Sequence, residues 1–339
     1  MIEPPHTPTA RAIRNPRTAQ RTVTFEGGPQ VILTVTLNTA LDITYRVRAL
    51  RPRGSHRVTE VAERPGGKGL NVARVLAALG HEVTATGFAG GATGRSVREG
   101  LGRTPGVVDA LVPVEGATRR TIAVVDRTTG DTTQFNEPGP VITPAEWAAF
   151  LRTYGDLVPS ATAVALCGSL PPGVPVGAYA QLVRTARAAG VPVLLDTSGE
   201  PLRRGVAARP DVVKPNAEEL AELTGSHEPS QATRDARRRG AHTVVASLGA
   251  EGLLAVNAEG RWRAAPPRRF QGNPTGAGDS AVAGLLSGLV ERLSWPARLA
   301  RAVALSAATV LAPTAGEFDR RAYEELLEQI AVTGEATAA

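Results

Sequence analysis

The order of residue patterns predicts an α/β protein. Its core is a mostly parallel sheet with helices on both faces, and a small separate β-sheet serves as a lid. Three observations carry this. Short β-branched apolar runs alternate with segments of helical period, the pattern of right-handed βαβ units. Two stretches, 43–62 and 107–135, break that rhythm with strand-like sequence and no helix between. The 339 residues, 42% apolar and 21% charged, are ordinary for a globular protein with a large core.

Residues 1–29 are rich in Pro, Thr and Arg and lack hydrophobic periodicity, so they read as a disordered extension. From Val31, VILTVTL suits a buried strand. Gly69 to Gly80 carries Val72, Val75, Leu76 and Leu79 at helical spacing, with Gly80 at a helix C-terminus. VTATGFAGG is a strand and glycine turn, and 94–102 a helix. Thr143-Pro-Ala-Glu146 is a capping box, followed by Trp147, Phe150, Leu151 and Tyr154 on one face. ATAVALC, VPVLLD, DVVKPN, HTVVASLG and GLLAVN are further strands, with a helix over 177–189. One domain is expected over 30–330, with a C-terminal tail over 331–339. Within the two irregular stretches, TTGD signals a hairpin. A sheet built from them, laid over the carboxyl ends of the core strands, would form the lid. Such a sheet has one apolar face and open edges, so two lids are expected to pair in a homodimer.

The net charge is +6, but it is dispersed. Residues 1–30 hold Arg11, Arg14, Arg17 and Arg21 against Glu3 and Glu26. With aromatics at only 4%, a base-stacking platform is not expected, and nucleic acid is not an expected partner. No run reaches the roughly 18 apolar residues of a membrane span, and no apolar leader opens the chain. Cys167 is the single cysteine, which excludes an internal disulfide. A cytoplasmic location without membrane contact is the expectation. The five histidines stand in no metal-ligand spacing. Of 38 basic residues only two are lysines, Lys68 in GGKG and Lys214 in VVKPN. That scarcity suggests that each position wants a compact ammonium rather than a planar guanidinium.

The strongest string is Asn273-Pro-Thr-Gly-Ala-Gly-Asp-Ser280, leading into AVAGLLSGLV. Small residues at a helix start expose unpaired amides, which attract an anion, and Gly276 and Gly278 let a phosphate approach the backbone. Asp279 would then stand beside that anion. From this string alone, a glycine turn with an Asp favoured by the helix dipole is the stronger reading. No Walker A string occurs.

Other strings stand around it in order: TLNTALD (36–42), GGKGLNVARVLAALG (66–80), GFAGGATG (87–94), GATRR (116–120), GSLPPGV (168–174), LDTSGEPL (195–202), VVKPNAEEL (212–220) and SLGAEGLL (247–254). With PTGAGDS (274–280) they span about residues 31–315, and on them the chain resembles the ribokinase-like, PfkB-type carbohydrate kinases. Within these it is most similar to the 1-phosphofructokinase, tagatose-6-phosphate kinase and minor 6-phosphofructokinase group. The resemblance implies a three-layer α/β/α core with a β-sheet lid, a sugar phosphate under the lid, and ATP with Mg²⁺ along the core's edge. Some relatives also require a monovalent cation. It assigns Asp279 as catalytic base and Gly276, Ala277 and Gly278 as anion hole. Asp42 falls on a residue that binds sugar hydroxyls, and Gly67, Lys68 and Asn71 line the sugar side. Arg119 falls at the substrate's existing phosphate, and Ser169 lies near the same pocket. Lys214, Asn216 and Glu219 match the string near the nucleotide phosphates and magnesium, with Glu219 on the metal. Ser247 and Gly249 match the nucleotide-side S-x-G. Two departures are Thr39 where the family has Pro, and Pro274-Thr275 where it has Thr-Val.

The implied activity is ATP-dependent phosphorylation of a ketohexose phosphate. D-fructose 1-phosphate leads, giving fructose 1,6-bisphosphate, with tagatose 6-phosphate and fructose 6-phosphate as alternatives. Arg119, Arg120 and Lys68 around one pocket would suit an acceptor that already carries a phosphate. A non-catalytic sugar-phosphate sensor on the same fold is the alternative of another class, and Asp279 argues against it. Simpler readings stand beside several assignments. Asn216…Glu219 is also a capping box, Asp42 a turn former, Lys68 a solvated side chain, and Asp196 a loop cap.

Overall fold

The computed structural model describes residues 30–312 and 317–336. The expected disordered extension at 1–29 therefore lies outside the described residues. The chain enters the core as β1 (Val31–Thr36), leaves it as β2 (Ala40–Val47) and β3 (Glu60–Gly66), and returns through α1 (Lys68–Ala78) to β4 (Glu82–Gly90). Then come α2 (Gly91–Gly102), β5 (Val107–Asp109), β6 (Val112–Val114), β7 (Arg119–Asp126) and β8 (Thr132–Asn136). The middle runs α3 (Pro144–Leu157), β9 (Ala161–Cys167), α4 (Ala178–Ala188), β10 (Val193–Asp196), α5 (Gly199–Ala207), β11 (Val212–Val213) and α6 (Ala217–Thr224). The remainder is α7 (Pro229–Arg238), β12 (Thr243–Ser247), β13 (Leu253–Val256), β14 (Gly260–Ala264), α8 (Ala277–Val290), α9 (Trp295–Leu311), α10 (Arg320–Gln329) and β15 (Val332–Ala336).

The core sheet has the order β15-β14-β13-β12-β11-β10-β9-β1-β4-β5, with β6 also on β4. From β12 to β5 every pairing is parallel, and β13, β14 and β15 extend it antiparallel. Successive side chains in a strand take opposite faces, so β1 sends Ile32 into one apolar layer and Leu33 and Val35 into the other. The first layer lies under α1, α2, α8, α9 and α10, and the second under α3 to α7. This is the expected three-layer α/β/α core. The capping box opening α3 is present with both of its bonds, and Trp147, Phe150 and Tyr154 are buried and stacked on that helix's inner face.

The lid is a four-stranded sheet, β3-β2-β7-β8. Two details differ from the expectation. β5 and β6, inside the 107–135 stretch, join the core edge by parallel pairing to β4, so only β7 and β8 of that stretch build the lid. Short Val-rich strands look the same whether they pair with core or lid, and the pairing is settled by α2, which carries the chain back to the core edge. Instead of a C-terminal tail, Val332–Ala336 forms β15, which extends the sheet beside β14. The backbone donors of β14 would otherwise form an open edge.

Parallel strands bring their carboxyl ends level. Thr36 of β1 pairs with Cys167 of β9, and Cys167 pairs in turn with Asp196 of β10. Chain order reverses between β1 and β9, which is where open α/β sheets place ligands. The loops following β1, β9 and β11 carry Asn38, Ser169 and Lys214, and β12 ends on Ser247.

Candidate active site

α8 begins at this crevice. Gly276 caps it with φ of 87°, a left-handed conformation that suits glycine. The Ser280 amide makes the first intrahelical bond, to the Gly276 carbonyl at 2.9 Å, which leaves the Gly278 and Asp279 amides ahead of it. The Ala277 amide instead donates to the Pro274 carbonyl at 3.0 Å. Of the three expected anion-hole residues, then, Ala277 shapes the turn and Gly278 presents the open amide.

Asp279 is 7% exposed. Its Oδ2 accepts from Asn71 Nδ2 at 2.7 Å, so α1 and α8 meet at this carboxylate. Burial pushes its pKa up to about 6, with Asp196 adding to the rise, while Lys68, the Asn71 bond and Lys214 oppose it. A carboxyl so placed changes charge near neutrality, which suits a general base.

The two lysines of the chain converge on one carboxylate. Lys68 Nζ lies 3.3 Å from both oxygens of Asp196, and Lys214 Nζ lies 3.4 Å from Oδ1. Asp196 is 1% exposed and Lys214 4%. The Lys68 side chain is 41% exposed, so its ammonium reaches from the pair toward solvent. Burial works against the Lys68 charge, but Asp196, Asp279 and Glu219 outweigh it and hold its pKa above the usual lysine value. A Cβ on Gly278 would lie 3.9 Å from Lys214 Nζ, which places that ammonium beside the open amides of α8. Asp196, expected as a loop cap, is therefore the counter-charge at the centre of the cluster. The lysine scarcity was the available signal, since two buried-side ammoniums need a shared anion.

The lid supplies a second pole. On its inner face Asp42 pairs across β2 with Arg64 of β3 and Thr121 of β7. Burial raises the Asp42 pKa against the pull of Arg74, Arg64 and Arg119. Gly66 has no room for a side chain, because a Cβ there would overlap the Asp42 carboxyl. Arg119 sits on the same face, its Nε donating to the Asn38 carbonyl at 3.2 Å and its Nη1 to Thr121 Oγ1 at 3.2 Å. Asn38 Nδ2 donates to Ser169 Oγ at 3.1 Å, linking Ser169 to the lid's root. Thr39, in place of the family's Pro, donates its hydroxyl to the Thr36 carbonyl at 2.9 Å. Arg120 does not share Arg119's pocket. Neighbouring strand residues face opposite ways, and Arg120 pairs with Glu137 at 2.7 Å on the outer side.

A cleft of about 1450 Å³ runs between lid and core. Thr44, Arg46 and Arg64 line it from the lid, and Asn216, Ser247 and Gly249 from the core. Among the described residues, Asp279, Asn71, Lys68 and Lys214 are not in that lining, and the cleft adjoins their cluster through Gly278. Asn216 caps α6, accepting from the Glu219 amide at 2.8 Å, while Glu219 Oε2 accepts from the Asn216 amide at 2.9 Å. Asn216 also bridges to Ser247. Gly67 caps α1 with φ of 96°, packed close to the Thr36 side chain.

This arrangement matches known proteins over most of its length. Residues 35–320 match the pfkB family carbohydrate kinases. The chain belongs to the pfkB carbohydrate kinase family. Among solved structures, phosphofructokinase-2 from Escherichia coli in complex with potassium is 30% identical with a TM-score of 0.82, covering 88% of this chain and 98% of its own. The same Escherichia coli protein has a tetrameric inhibited form. A possible 1-phosphofructokinase from Thermotoga maritima is 27% identical with a TM-score of 0.81, covering 91% of this chain and 100% of its own. Arabidopsis thaliana ribokinase, at 24% identity and a TM-score of 0.69, shares the fold. This pfkB kinase thus has a ribokinase-like core and a separate lid sheet, and among the described residues no helix is long and apolar enough to cross a membrane.

Proposed function

We propose that this pfkB kinase transfers the γ-phosphoryl group of ATP to a ketohexose phosphate, with D-fructose 1-phosphate as the leading acceptor and fructose 1,6-bisphosphate as product. The observation that carries the reading is Asp279, a buried carboxylate near pKa 6 at the open start of α8, beside two ammoniums. The acceptor hydroxyl attacks the γ-phosphorus, the bond to ADP breaks, and the proton passes to Asp279 Oδ1, since Oδ2 is held by Asn71. The Gly278 amide and the ammoniums of Lys68 and Lys214 face the charge that develops on the transferred group. Asp42 and Gly67 on the lid side hold the sugar, with Arg119 and Ser169 at its phosphate. Asn216, Ser247 and Gly249 line the nucleotide's cleft.

Among the described residues no three His, Cys, Asp or Glu gather to cage a metal. A single carboxylate, Glu219, which accepts from the backbone amide of cleft-lining Asn216, is a donor set that suits Mg²⁺ completed by nucleotide phosphates and water. When bound there, Mg²⁺ neutralises phosphate charge during transfer. Potassium accompanies the Escherichia coli relative, and a monovalent-cation requirement here is tested by replacing K⁺ in the assay with an organic cation.

The lid's outer face carries Tyr45, Val61 and Val124 in register, with Ile122 and Phe135 paired beside them, and Val61 and Phe135 are exposed. That apolar face supports a homodimer formed lid to lid, and light scattering at micromolar concentration tests it.

The deciding experiment is a panel of kcat/KM values for fructose 1-phosphate, tagatose 6-phosphate, fructose 6-phosphate and fructose, read by ADP release. Fructose 1-phosphate should lead. Equal rates with fructose would remove the phosphorylated acceptor, and ligand binding without ADP would leave a sensor.

A further inference from the structure

Arg74 lies on α1 three residues after Asn71, on the same helical face. Its Nη2 donates to Asn71 Oδ1 at 2.6 Å, and Asn71 Nδ2 donates to Asp279 Oδ2 at 2.7 Å. Its Nη1 donates to the carbonyl of Pro65, where β3 leaves the lid and turns into α1. Guanidinium, amide and carboxylate therefore form one chain from the root of the lid to the base.

We propose that Arg74 is a positioning residue for phosphoryl transfer: it locks the Asn71 amide with its NH₂ end on Asp279 and ties that donor to the root of the lid. The proposal rests on the reading of Asp279 as base.

The amide of Asn71 has two ends of similar shape and opposite hydrogen-bonding character. With its oxygen toward Asp279 it would accept a proton from a neutral carboxyl and favour the protonated acid. With its NH₂ toward Asp279 it favours the carboxylate, the form able to take the acceptor's proton. A guanidinium has donors only, so the end of Asn71 that meets Arg74 must be the oxygen. Arg74 thus removes the unproductive orientation.

The position is an expensive one for a cation. Burial and the nearby Arg64 lower the Arg74 pKa to about 10, and its Nε is buried without a hydrogen-bond partner. A group retained at such a cost, with its two terminal nitrogens on one hinge carbonyl and one catalytic-side amide, is placed for orientation. Asp279 is faced by Lys68 and Arg74 from α1, Asp196 from β10, Cys167 from β9, and Lys214 from the loop after β11. Of these only Arg74 reaches it through an intermediate hydrogen-bonding side chain.

The test is a double-mutant cycle in the full-length enzyme, with Arg74→Met and Asn71→Leu alone and combined. Arg74→Met should lower kcat about tenfold with KM for ATP little changed, and move the acid limb of kcat/KM upward by about one pH unit. In the Asn71→Leu background the same change should cost little more, because the path through the amide is already gone. Arg74→Lys, which keeps the charge but reaches fewer acceptors, should fall between, and it serves the cycle if Arg74→Met does not fold. Losses that multiply in the double variant, or a wild-type acid limb in Arg74→Met, would overturn the proposal. An inactive Asp279→Asn enzyme with such a result overturns Arg74 alone, whereas an active Asp279→Asn enzyme overturns the base itself.

Discussion

Two buried carboxylates, one in the core and one on the lid, stand in different surroundings. Asp279 stands in the rigid core among compact ammoniums and one amide, with burial raising its pKa to about 6. Asp42 stands on the lid among guanidiniums, Arg64, Arg74 and Arg119, which work against a similar burial. Lysine carries a small, movable point charge, while arginine offers a fixed fork of donors. The core pole is thus suited to charge that shifts during a reaction, and the lid pole to a ligand held in one orientation. On the proposed reading, chemistry sits on the helix and strand ends of the core, and recognition on the lid sheet.

The largest effect should follow from breaking the core pole at its base. Asp279→Asn keeps the Asn71 contact's shape but cannot take a proton, and turnover should fall about 10³-fold with the melting temperature maintained. Near-normal turnover would end the assignment. Asp196→Asn should act mainly on stability. It strips the shared anion from Lys68 and from Lys214, which is buried, and urea unfolding should show a loss of about 3 kcal/mol. An unchanged unfolding midpoint would mean that the two ammoniums find other partners.

Lys68→Arg sharpens the contrast between the two cation types. Arginine can keep the ion pair with Asp196, but it presents a fixed plane of donors to the crevice where lysine presents a compact ammonium. A loss in kcat/KM of about tenfold, or ~1.4 kcal/mol, is expected with little change in melting temperature. Wild-type kinetics would make the lysine incidental.

Acidification separates activity from stability at the same pole. Below about pH 6 Asp279 gains its proton, so kcat/KM should fall about tenfold between pH 7 and pH 5. The sign for stability is the reverse. A carboxyl whose folded pKa is raised above 3.8 contributes most below that value and loses its contribution as the pH rises through 6. Glu291 does not offset this. Burial works against its charge, but bonds from His81 and Arg301 carry its pKa down to about 2, so its contribution is lost only below the ordinary glutamate range. Paired activity and melting profiles from pH 5 to 7.5 should therefore diverge, and profiles that fall together would contradict the assignment. The smallest effect belongs to Arg120→Ala. Its exposed pairing with Glu137 is on the far face of the lid, and both kcat/KM and the melting temperature should match those of wild type.

Much of this was legible from residue order. Glycines at Gly276 and Gly278 before an acid and a small-residue helix describe the start of α8 directly, because backbone requirements are local. The capping boxes at Thr143 and Asn216 were equally local and formed as written. Asp196 was not legible in the same way. Its importance comes from Lys68, 128 residues away in the chain, and from Lys214, and only the fold brings the three together. Arg74 was hidden for a similar reason. A lone arginine in a helical repeat reads as surface until the neighbouring turn and the lid's root are seen to bracket it. The strands β5 and β6 were assigned to the wrong sheet because sequence reports that a strand exists more clearly than what it pairs with.

The gathering of both lysines at one carboxylate has a practical side. An amine-directed reagent, such as an activated ester used for labelling or for coupling to a resin, finds almost no side chain to acylate on this arginine-coated protein. Lys214 is shielded, and Lys68 is the accessible ε-amine. Coupling chemistry that relies on surface lysines would here fall largely on the α-amine instead, because the Lys68 ammonium is held in its ion pair with Asp196 and keeps its proton beyond the usual lysine range.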